Sequence, residues 1–381
     1  MQYEALDDGY MRRALELAAG GAGYVSPNPL VGCVIVRDGR IVGEGFHQRF
    51  GTPHAERHAL HDAGNLAQGA TLYVTLEPCC HTGKTPPCVD AVIAAGIERV
   101  VVAMRDPNPL VAGGGLARLR EAGISVTLGV HEFEARQLNE SFIKHVVTRT
   151  PFVTLKCAIT LDGKIATRSG ASRWITGPGA RAHVHALRHA TDAILVGIGT
   201  VMQDDPLLTT RLPNKRGANP LRVIVDSHLR LPLTAKVATV SPDCRTLVAT
   251  THRARKSNHL RLKKRGVEIV CLPSYDDGRV DLAALWHHLG DQGIASVLVE
   301  GGATLSASLL TRRLVDKVQF FIAPKIIGGD GLSVIGSCAV DEMAQAIQVY
   351  RPSCRPFDGD FLIEGYLAQT KLDEGAGEAE L

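Results

Sequence analysis

Residues Pro53-His-Ala-Glu-Arg57, then Thr71-Leu-Tyr-Val-Thr-Leu-Glu-Pro-Cys-Cys80, then Pro86-Pro-Cys88 decide the fold of the N-terminal half. A polar residue behind a proline, followed by apolar positions at helical spacing, predicts a helix over His54 to Ala63. The β-branched and aromatic run Thr71 to Leu76 predicts a strand, and Cys88 opens a helix running to Ala95. Outward from this stretch, Val31-Gly-Cys-Val-Ile-Val36 and Ile41-Val-Gly-Glu-Gly45 flank an Asp38-Gly39 turn and read as a β-hairpin. Strand Arg99 to Met104, helix Gly115 to Ala122 and strand Ile124 to Leu128 follow. The alternation predicts α/β architecture, a sheet between layers of helices.

The same stretch carries metal chemistry. His54-Ala-Glu56 precedes Pro78-Cys79, with Cys79 standing 23 positions (79 − 56) after Glu56. One His and two Cys holding Zn²⁺, with a non-ligating Glu to move protons, is the zinc-deaminase arrangement. Two thiolates and a neutral imidazole leave a tetrahedral position for water, whose pKa the ion lowers so that it can attack an amine-bearing ring carbon. Glu56, at the same helix start as His54, is placed to shuttle the proton. A purely structural zinc would close its fourth position with another Cys or His and leave Glu56 without a task. The second thiolate is Cys88, after eight intervening residues, or an unusual choice among Cys80 and His81; adjacent side chains diverge, which favours Cys88. Asn28 and His47, near the hairpin ends, and Lys84, in the inserted loop, are candidate substrate contacts, the lysine for a phosphate.

Composition bounds the alternatives. Hydrophobic residues make up 45% and charged residues 21% of 381, with Lys+Arg 42 against Asp+Glu 39. Neither disorder nor a charge-driven partner is indicated, and a formal charge of +3 argues for no nucleic-acid surface. The opening MQYEALDDGYMRRALELAAG lacks the layout of a secretory signal, and no apolar run reaches the ~20 residues that cross a bilayer. We expect a cytoplasmic protein without membrane contact. Nine cysteines are too few for a disulfide scaffold. Six of them (Cys33, Cys157, Cys244, Cys271, Cys338, Cys354) read as reduced, mostly buried thiols.

A polar stretch ending in Pro151 precedes a fresh strand, Phe152 to Cys157, which places a first domain at 1–148 and a second at 149–370. An acidic, Gly/Ala-rich tail, 371–381, is expected to be disordered. The second half alternates again. Strands are expected at Ala193 to Val196, Arg222 to Val225, Leu247 to Ala249, Val267 to Cys271, Ser296 to Val299 and Lys317 to Ile322. Helices are expected near Lys256 to Lys264, Leu282 to Leu289 and Ala303 to Leu314. Val299-Glu-Gly-Gly-Ala-Thr-Leu305 puts two glycines between strand and helix, where backbone amides suit a dinucleotide phosphate. It is not the Gly-x-Gly-x-x-Gly fingerprint. Ser172, Trp174, Thr176, Arg188, Thr200, Asp204, Asp205 and Arg211 are read at strand ends or in loops, where open α/β sheets bind ligands.

Taken together, Ser26-Pro-Asn-Pro-Leu-Val-Gly-Cys33, His54-Ala-Glu56, Thr75-Leu-Glu-Pro-Cys79, Thr85-Pro-Pro-Cys88 and Asp106-Pro-Asn-Pro109 resemble the deaminase half of the bifunctional riboflavin-biosynthesis deaminase/reductases. Leu161-Asp-Gly163, Trp174-Ile-Thr176, Asp204-Asp-Pro206, Val225-Asp-Ser227 and Val299-Glu-Gly-Gly302 resemble their reductase half. The resemblance implies a cytidine-deaminase-like α/β/α domain followed by a dihydrofolate-reductase-like α/β domain. It implies zinc hydrolysis of the 2-amino group of 2,5-diamino-6-ribosylamino-4(3H)-pyrimidinone 5′-phosphate, then NADPH reduction of ribosyl to ribityl. The long Cys79 to Cys88 gap is that family's own spacing, which settles the ligand as Cys88. Carried over position by position, Ser172, Arg188, Leu208, Arg211 and Glu300 contact the phosphorylated substrate. Ala158, Trp174, Thr200, Asp204, Ser227 and Gly302, Ala303, Thr304, Leu305, Ser306, Ala307 and Ser308 contact NADPH. Cys80 stands where serine is common. A homo-oligomer is expected.

Overall fold

The computed structural model describes residues 2–81, 86–109, 111–213 and 217–367. Lys84 and the tail from 371 therefore lie outside the described residues. Two compact units divide the chain, Met1–Arg149 and Thr150–Leu381.

In the first unit, α1 (Gln2–Ala19) leads into β1 (Gly32–Arg37) and β2 (Arg40–Phe46), then α2 (Ala55–Ala63), β3 (Thr71–Leu76) and α3 (Cys88–Ala94). β4 (Arg99–Met104), α4 (Gly114–Glu121), β5 (Ser125–Leu128), α5 (Glu132–Leu138) and α6 (Glu140–Thr148) complete it. The sheet runs β2-β1-β3-β4-β5, antiparallel through β1 and parallel from β3 to β5. Arg37 pairs with Arg40 across Asp38-Gly39, whose φ values of 50° and 72° are those of a type I′ turn. Val34, Ile35, Leu72, Val74, Val100 and Val102 are fully buried, so the middle strands read as unbroken apolar runs. α2 lies directly on β2. A Cβ on Gly45 would stand 2.5 Å from the Ala55 carbonyl oxygen and 2.5 Å from the Ala59 nitrogen. The glycine thus sets how closely the helix carrying Glu56 approaches the sheet. Helices α5 and α6 were not expected from the sequence.

In the second unit β6 (Phe152–Thr160), β7 (Lys164–Ala166), α7 (Pro178–Ala190), β8 (Ala193–Gly197), α8 (Ile198–Asp204) and β9 (Leu221–Val225) come first. β10 (Thr246–Thr250), α9 (Lys256–Lys263), β11 (Glu268–Cys271), α10 (Leu282–Asp291), β12 (Ser296–Val299), α11 (Ala303–Thr311) and β13 (Lys317–Ala323) follow. β14 (Leu332–Ser333), β15 (Tyr350–Phe357) and β16 (Asp360–Tyr366) end the described chain. Nine strands run β11-β10-β9-β8-β12-β6-β13-β16-β15, and β14 pairs with β7 in a small separate ribbon. The strands from β11 to β13 are parallel, and β16 and β15 add antiparallel. Parallel strands bring their carboxyl ends to one edge, where Gly197, Glu300 and Thr160 follow or close β8, β12 and β6.

Two sequence expectations are corrected. Arg188 lies in the last turn of α7, and Thr200 and Asp204 lie in α8, rather than in loops or at strand ends. Of the six scattered cysteines only Cys33 and Cys157 are buried. Cys271 and Cys354 are exposed because β11 and β15 are the sheet's outermost strands. All nine are free thiols. Among the described residues no helix is long and apolar enough to cross a membrane.

Candidate metal centre and C-terminal clefts

His54 caps α2 in extended conformation, and Cys88 is the first residue of α3. Cys79 follows β3 after Glu77-Pro78. The three converge: His54 Nδ1 is 3.6 Å from Cys79 Sγ and 3.3 Å from Cys88 Sγ. All three ligand atoms lie within 4.8 Å of one another. Zn–N and Zn–S bonds at tetrahedral angles put nitrogen and sulfur about 3.6 Å apart, so this donor set fits zinc with little movement. The Cys88 N–H donates to Cys79 Sγ at 3.3 Å. Hydrogen bonds from Cys88 and His54 pull the Cys79 thiol well below its usual range, while Cys88, which keeps the proton of the pair, is pushed up. Metal binding displaces that proton. Cys80 and His81 do not join the cluster.

Glu56, in the first turn of α2, is 3% exposed. Burial raises its pKa, with the Cys79 charge adding to the effect. It lines a cleft of about 260 Å³ together with Asn28, His47, His54, Cys79 and Asp106. Asn28 and His47 are joined, Asn28 Nδ2 standing 3.2 Å from His47 Nε2. His47 Nδ1 faces the Pro53 carbonyl at 3.2 Å. A carbonyl only accepts, so Nδ1 carries the proton and Nε2 receives Asn28. Burial lowers the pKa of His47 and keeps the ring neutral.

Two acidic residues here escaped assignment from sequence. Glu77, 3% exposed, accepts from the backbone N–H groups of Gly115 (2.9 Å), Gly113 (3.0 Å), Leu116 (3.2 Å) and Asp106 (3.3 Å). It caps α4 from outside and fixes the cleft wall. Gly113-Gly-Gly115, a helix start with no capping side chain of its own, was the available signal. Asp106, 8% exposed, accepts from the Asn108 N–H at 2.8 Å, and burial pushes its pKa up to about 6. A carboxyl raised in the fold favours folding below its unfolded value near 4, and that contribution is lost as pH climbs to about 6. Asp106→Asn keeps the acceptor. In metal-free protein it should be more stable than wild type by about 2 kcal/mol at pH 7.5 and equal to it at pH 4. Thermal melts at the two pH values check this; an equal gap at both would refute it.

Among the described residues of the second unit, two clefts adjoin the expected contacts. One, of about 600 Å³, is lined by Gly197, Thr200, Asp204, Gly302 and the start of α11 through Ala303, Thr304 and Leu305. The other, of about 680 Å³, is lined by Lys156, Ala158, Trp174, Arg188, Arg211 and Glu300. Ser172 lines both. Arg188 and Glu300, each 12% exposed at the side chain, form a two-pronged ion pair at 2.7 and 2.8 Å. Arg188 Nη1 also donates to the Thr209 carbonyl at 3.2 Å. His185 joins this cleft through its Nδ1, which receives the Arg211 N–H at 3.3 Å, and sequence reading had not singled it out.

Other expected contacts lie elsewhere. Leu208, at φ 53°, is buried in the same apolar cluster as Ile194 and Ile224. Ser306 and Ala307 are buried within α11, and Ser306 Oγ donates to the Gly302 carbonyl. Ser308 receives Arg312. Ser227 lines neither cleft; just past β9, its Oγ receives the Val280 N–H at 3.1 Å.

Comparison with known proteins covers both units. Residues 5–104 match the cytidine and deoxycytidylate deaminase zinc-binding region, and residues 151–359 match the RibD C-terminal domain. The chain is 45% identical over 359 residues to the riboflavin biosynthesis protein RibD of Aquifex aeolicus, covering 94% of this chain and 98% of that one. The chain belongs to the RibD family. With the Escherichia coli member it shares 45% identity over 353 residues, covering 90% and 94%. The solved structure of Acinetobacter baumannii RibD superposes with a TM-score of 0.86 at 41% identity, covering 96% of this chain and all of that one. A Thermotoga maritima diaminohydroxyphosphoribosylaminopyrimidine deaminase/5-amino-6-(5-phosphoribosylamino)uracil reductase gives 0.84 at 41%, with the same coverage. As a RibD member the chain is a bifunctional deaminase and reductase of riboflavin biosynthesis. Its zinc-binding domain is cytidine-deaminase-like and its reductase domain dihydrofolate-reductase-like.

Proposed function

We propose that the first unit hydrolyses the 2-amino group of 2,5-diamino-6-ribosylamino-4(3H)-pyrimidinone 5′-phosphate. The second then reduces the ribosyl group to ribityl with NADPH. The observation that carries the first step is the convergence of His54, Cys79 and Cys88 at zinc-like spacing beside a buried carboxylate. His54, Cys79 and Cys88 would hold the ion, which when bound supplies the Lewis acidity that brings water towards neutral pKa. Glu56, almost wholly buried at the cleft wall, takes one proton from the attacking water and gives it to the ring nitrogen, then takes the second from the resulting hydroxyl and gives it to the amine, which leaves as ammonia. The neutral His47, held by Asn28 and Pro53, presents a fixed ring edge to the pyrimidine.

For the reduction, Gly302 to Leu305 offer backbone amides at a helix start for a cofactor phosphate. Thr200 and Asp204 line the same cleft. Ala158 and Trp174 fall in the neighbouring cleft with Arg188, Arg211 and Glu300, and Ser172 stands where the two meet. A nicotinamide must reach the substrate, so the division supports a cofactor end shared between clefts. Arg211 and Lys156 supply the net positive charge that a 5′-phosphate calls for, Arg188 being matched by Glu300.

A single cuvette following ammonia release and NADPH absorbance tests both halves. Ammonia should appear first, NADPH should fall only after deamination, and zinc chelation should stop both from the diamino substrate. Supplying deaminated substrate should restore NADPH loss in the chelated enzyme. NADPH loss without prior deamination, or NADH serving equally well, would refute the scheme. A homo-oligomer also belongs to this reading: β15, an edge strand, exposes its side chains, and Met343, Ile347 and Val349 beside it are exposed. A sedimentation mass of 40.8 kDa would remove it.

A further inference from the structure

The cysteines proposed to hold the ion are separated by eight residues, Cys80 to Pro87, and sit on different elements. When two ligands stand three apart, a single turn of chain fixes both sulfurs. Here something else must hold Cys88 against Cys79 and His54. Part of the restraint is local: the Cys88 N–H meets Cys79 Sγ at 3.3 Å, and the Val89 N–H meets the Cys79 carbonyl at 3.3 Å. Neither contact ties the backbone at Cys88 to α2, and the thiol's own contacts with His54 and Glu56 run through the sulfur that a metal would take.

Arg57 does. It stands on α2 one turn beyond His54, and its Nη2 donates to the Pro86 carbonyl at 3.2 Å and the Pro87 carbonyl at 3.4 Å. Pro87 caps α3 immediately before Cys88, at φ −52°, and no side chain caps this helix start. Two prolines in succession have stiff backbones and no N–H to donate, so their carbonyls are the handles by which this segment can be gripped. The grip is made despite a cost, since Arg57 Nε is buried without a hydrogen-bond partner among the described residues.

We propose that Arg57 is a positioning residue for the metal centre, a guanidinium brace that holds Cys88 at ligand distance from His54 before the ion arrives. This rests on the reading that His54, Cys79 and Cys88 bind zinc. The sign of its effect separates the brace from simple electrostatics. A fixed cation near a divalent ion repels it, so on charge alone deleting Arg57 would tighten zinc binding. Loss of a brace does the opposite.

The test uses full-length protein, zinc competition against a chromophoric chelator, and thermal melts with and without zinc. R57A should raise the zinc Kd about tenfold or more, as other outer contacts of metal ligands do. It should shrink the rise in Tm on zinc addition and leave the metal-free Tm near that of wild type. R57K, which keeps the charge without the fork, should also bind zinc more weakly than wild type. Zinc binding in R57A as tight as wild type or tighter overturns the proposal, and so does an equal fall in metal-free and zinc-loaded Tm. If R57A does not fold, R57Q, too short to reach Pro86 and without charge, is read by the same criteria. Full zinc content in C88S, by contrast, overturns the ligand assignment itself and the brace with it.

Discussion

Glu56→Gln is expected to slow ammonia release roughly a thousandfold while zinc stays bound at one ion per chain. The magnitude is that of general acid–base catalysis by a positioned side chain. Glutamine keeps the shape and hydrogen-bonding capacity of Glu56 but cannot accept the water's proton. The proposed ligands His54, Cys79 and Cys88 are untouched, so metal content separates a lost proton shuttle from a lost site. A second signature follows from burial. At 3% exposure Glu56 is costly to keep charged, and burial raises its pKa. A raised carboxyl favours folding at low pH and loses that contribution as pH climbs through its folded value. In metal-free protein at pH 7, E56Q should therefore melt above wild type, with the gap closing as pH falls. Gain in stability with loss of turnover marks a group kept for chemistry. Wild-type turnover by E56Q, or zinc loss from it, would sink the assignment.

Much of the deaminase unit was legible because its chemistry is written close to its secondary structure. His54 and Glu56 share one helix start, Cys79 follows a strand, and Cys88 opens a helix. Strands of Val and Ile between helices left little choice of architecture. Less legible were groups whose task is set by partners distant in sequence. Glu77 reaches Gly113 to Leu116, more than 35 positions away, and Arg57 reaches Pro86. In the second unit α7 is amphipathic but buries only Ala180, Val184 and His189, so a single larger aliphatic side chain marks its inner face in the sequence. α8 begins Ile198-Gly-Thr-Val201, residues of poor helix propensity, and forms where packing demands it. β15 contains Pro352 and Pro356, which an edge strand tolerates.

Breaking the Arg188–Glu300 pair should produce the largest loss of stability of any change considered for the reductase unit. Burial by itself raises the pKa of Glu300, and Arg188 more than offsets this, holding the carboxylate below its usual range. The stabilisation is present above the unfolded carboxylate value and is lost as pH falls through the lowered one. R188A leaves Glu300 buried beside Lys156 without its two-pronged partner, and should cost about 3–5 kcal/mol. It also frees the Thr209 carbonyl and with it the segment leading to Arg211. Oxidation of the nicotinamide cofactor should fall at least about 100-fold, while ammonia release persists, since its proposed residues lie in the other unit. Stability and function part company in R188M/E300L. Apolar side chains of similar volume remove both charges at once, so much of the folding free energy should return, yet reduction should not. Denaturant melts alongside the two activities distinguish the outcomes. Reduction at the wild-type rate in the double variant would reduce the pair to a scaffold; a double variant as unstable as R188A would mean that the loss came from packing rather than from a stranded charge.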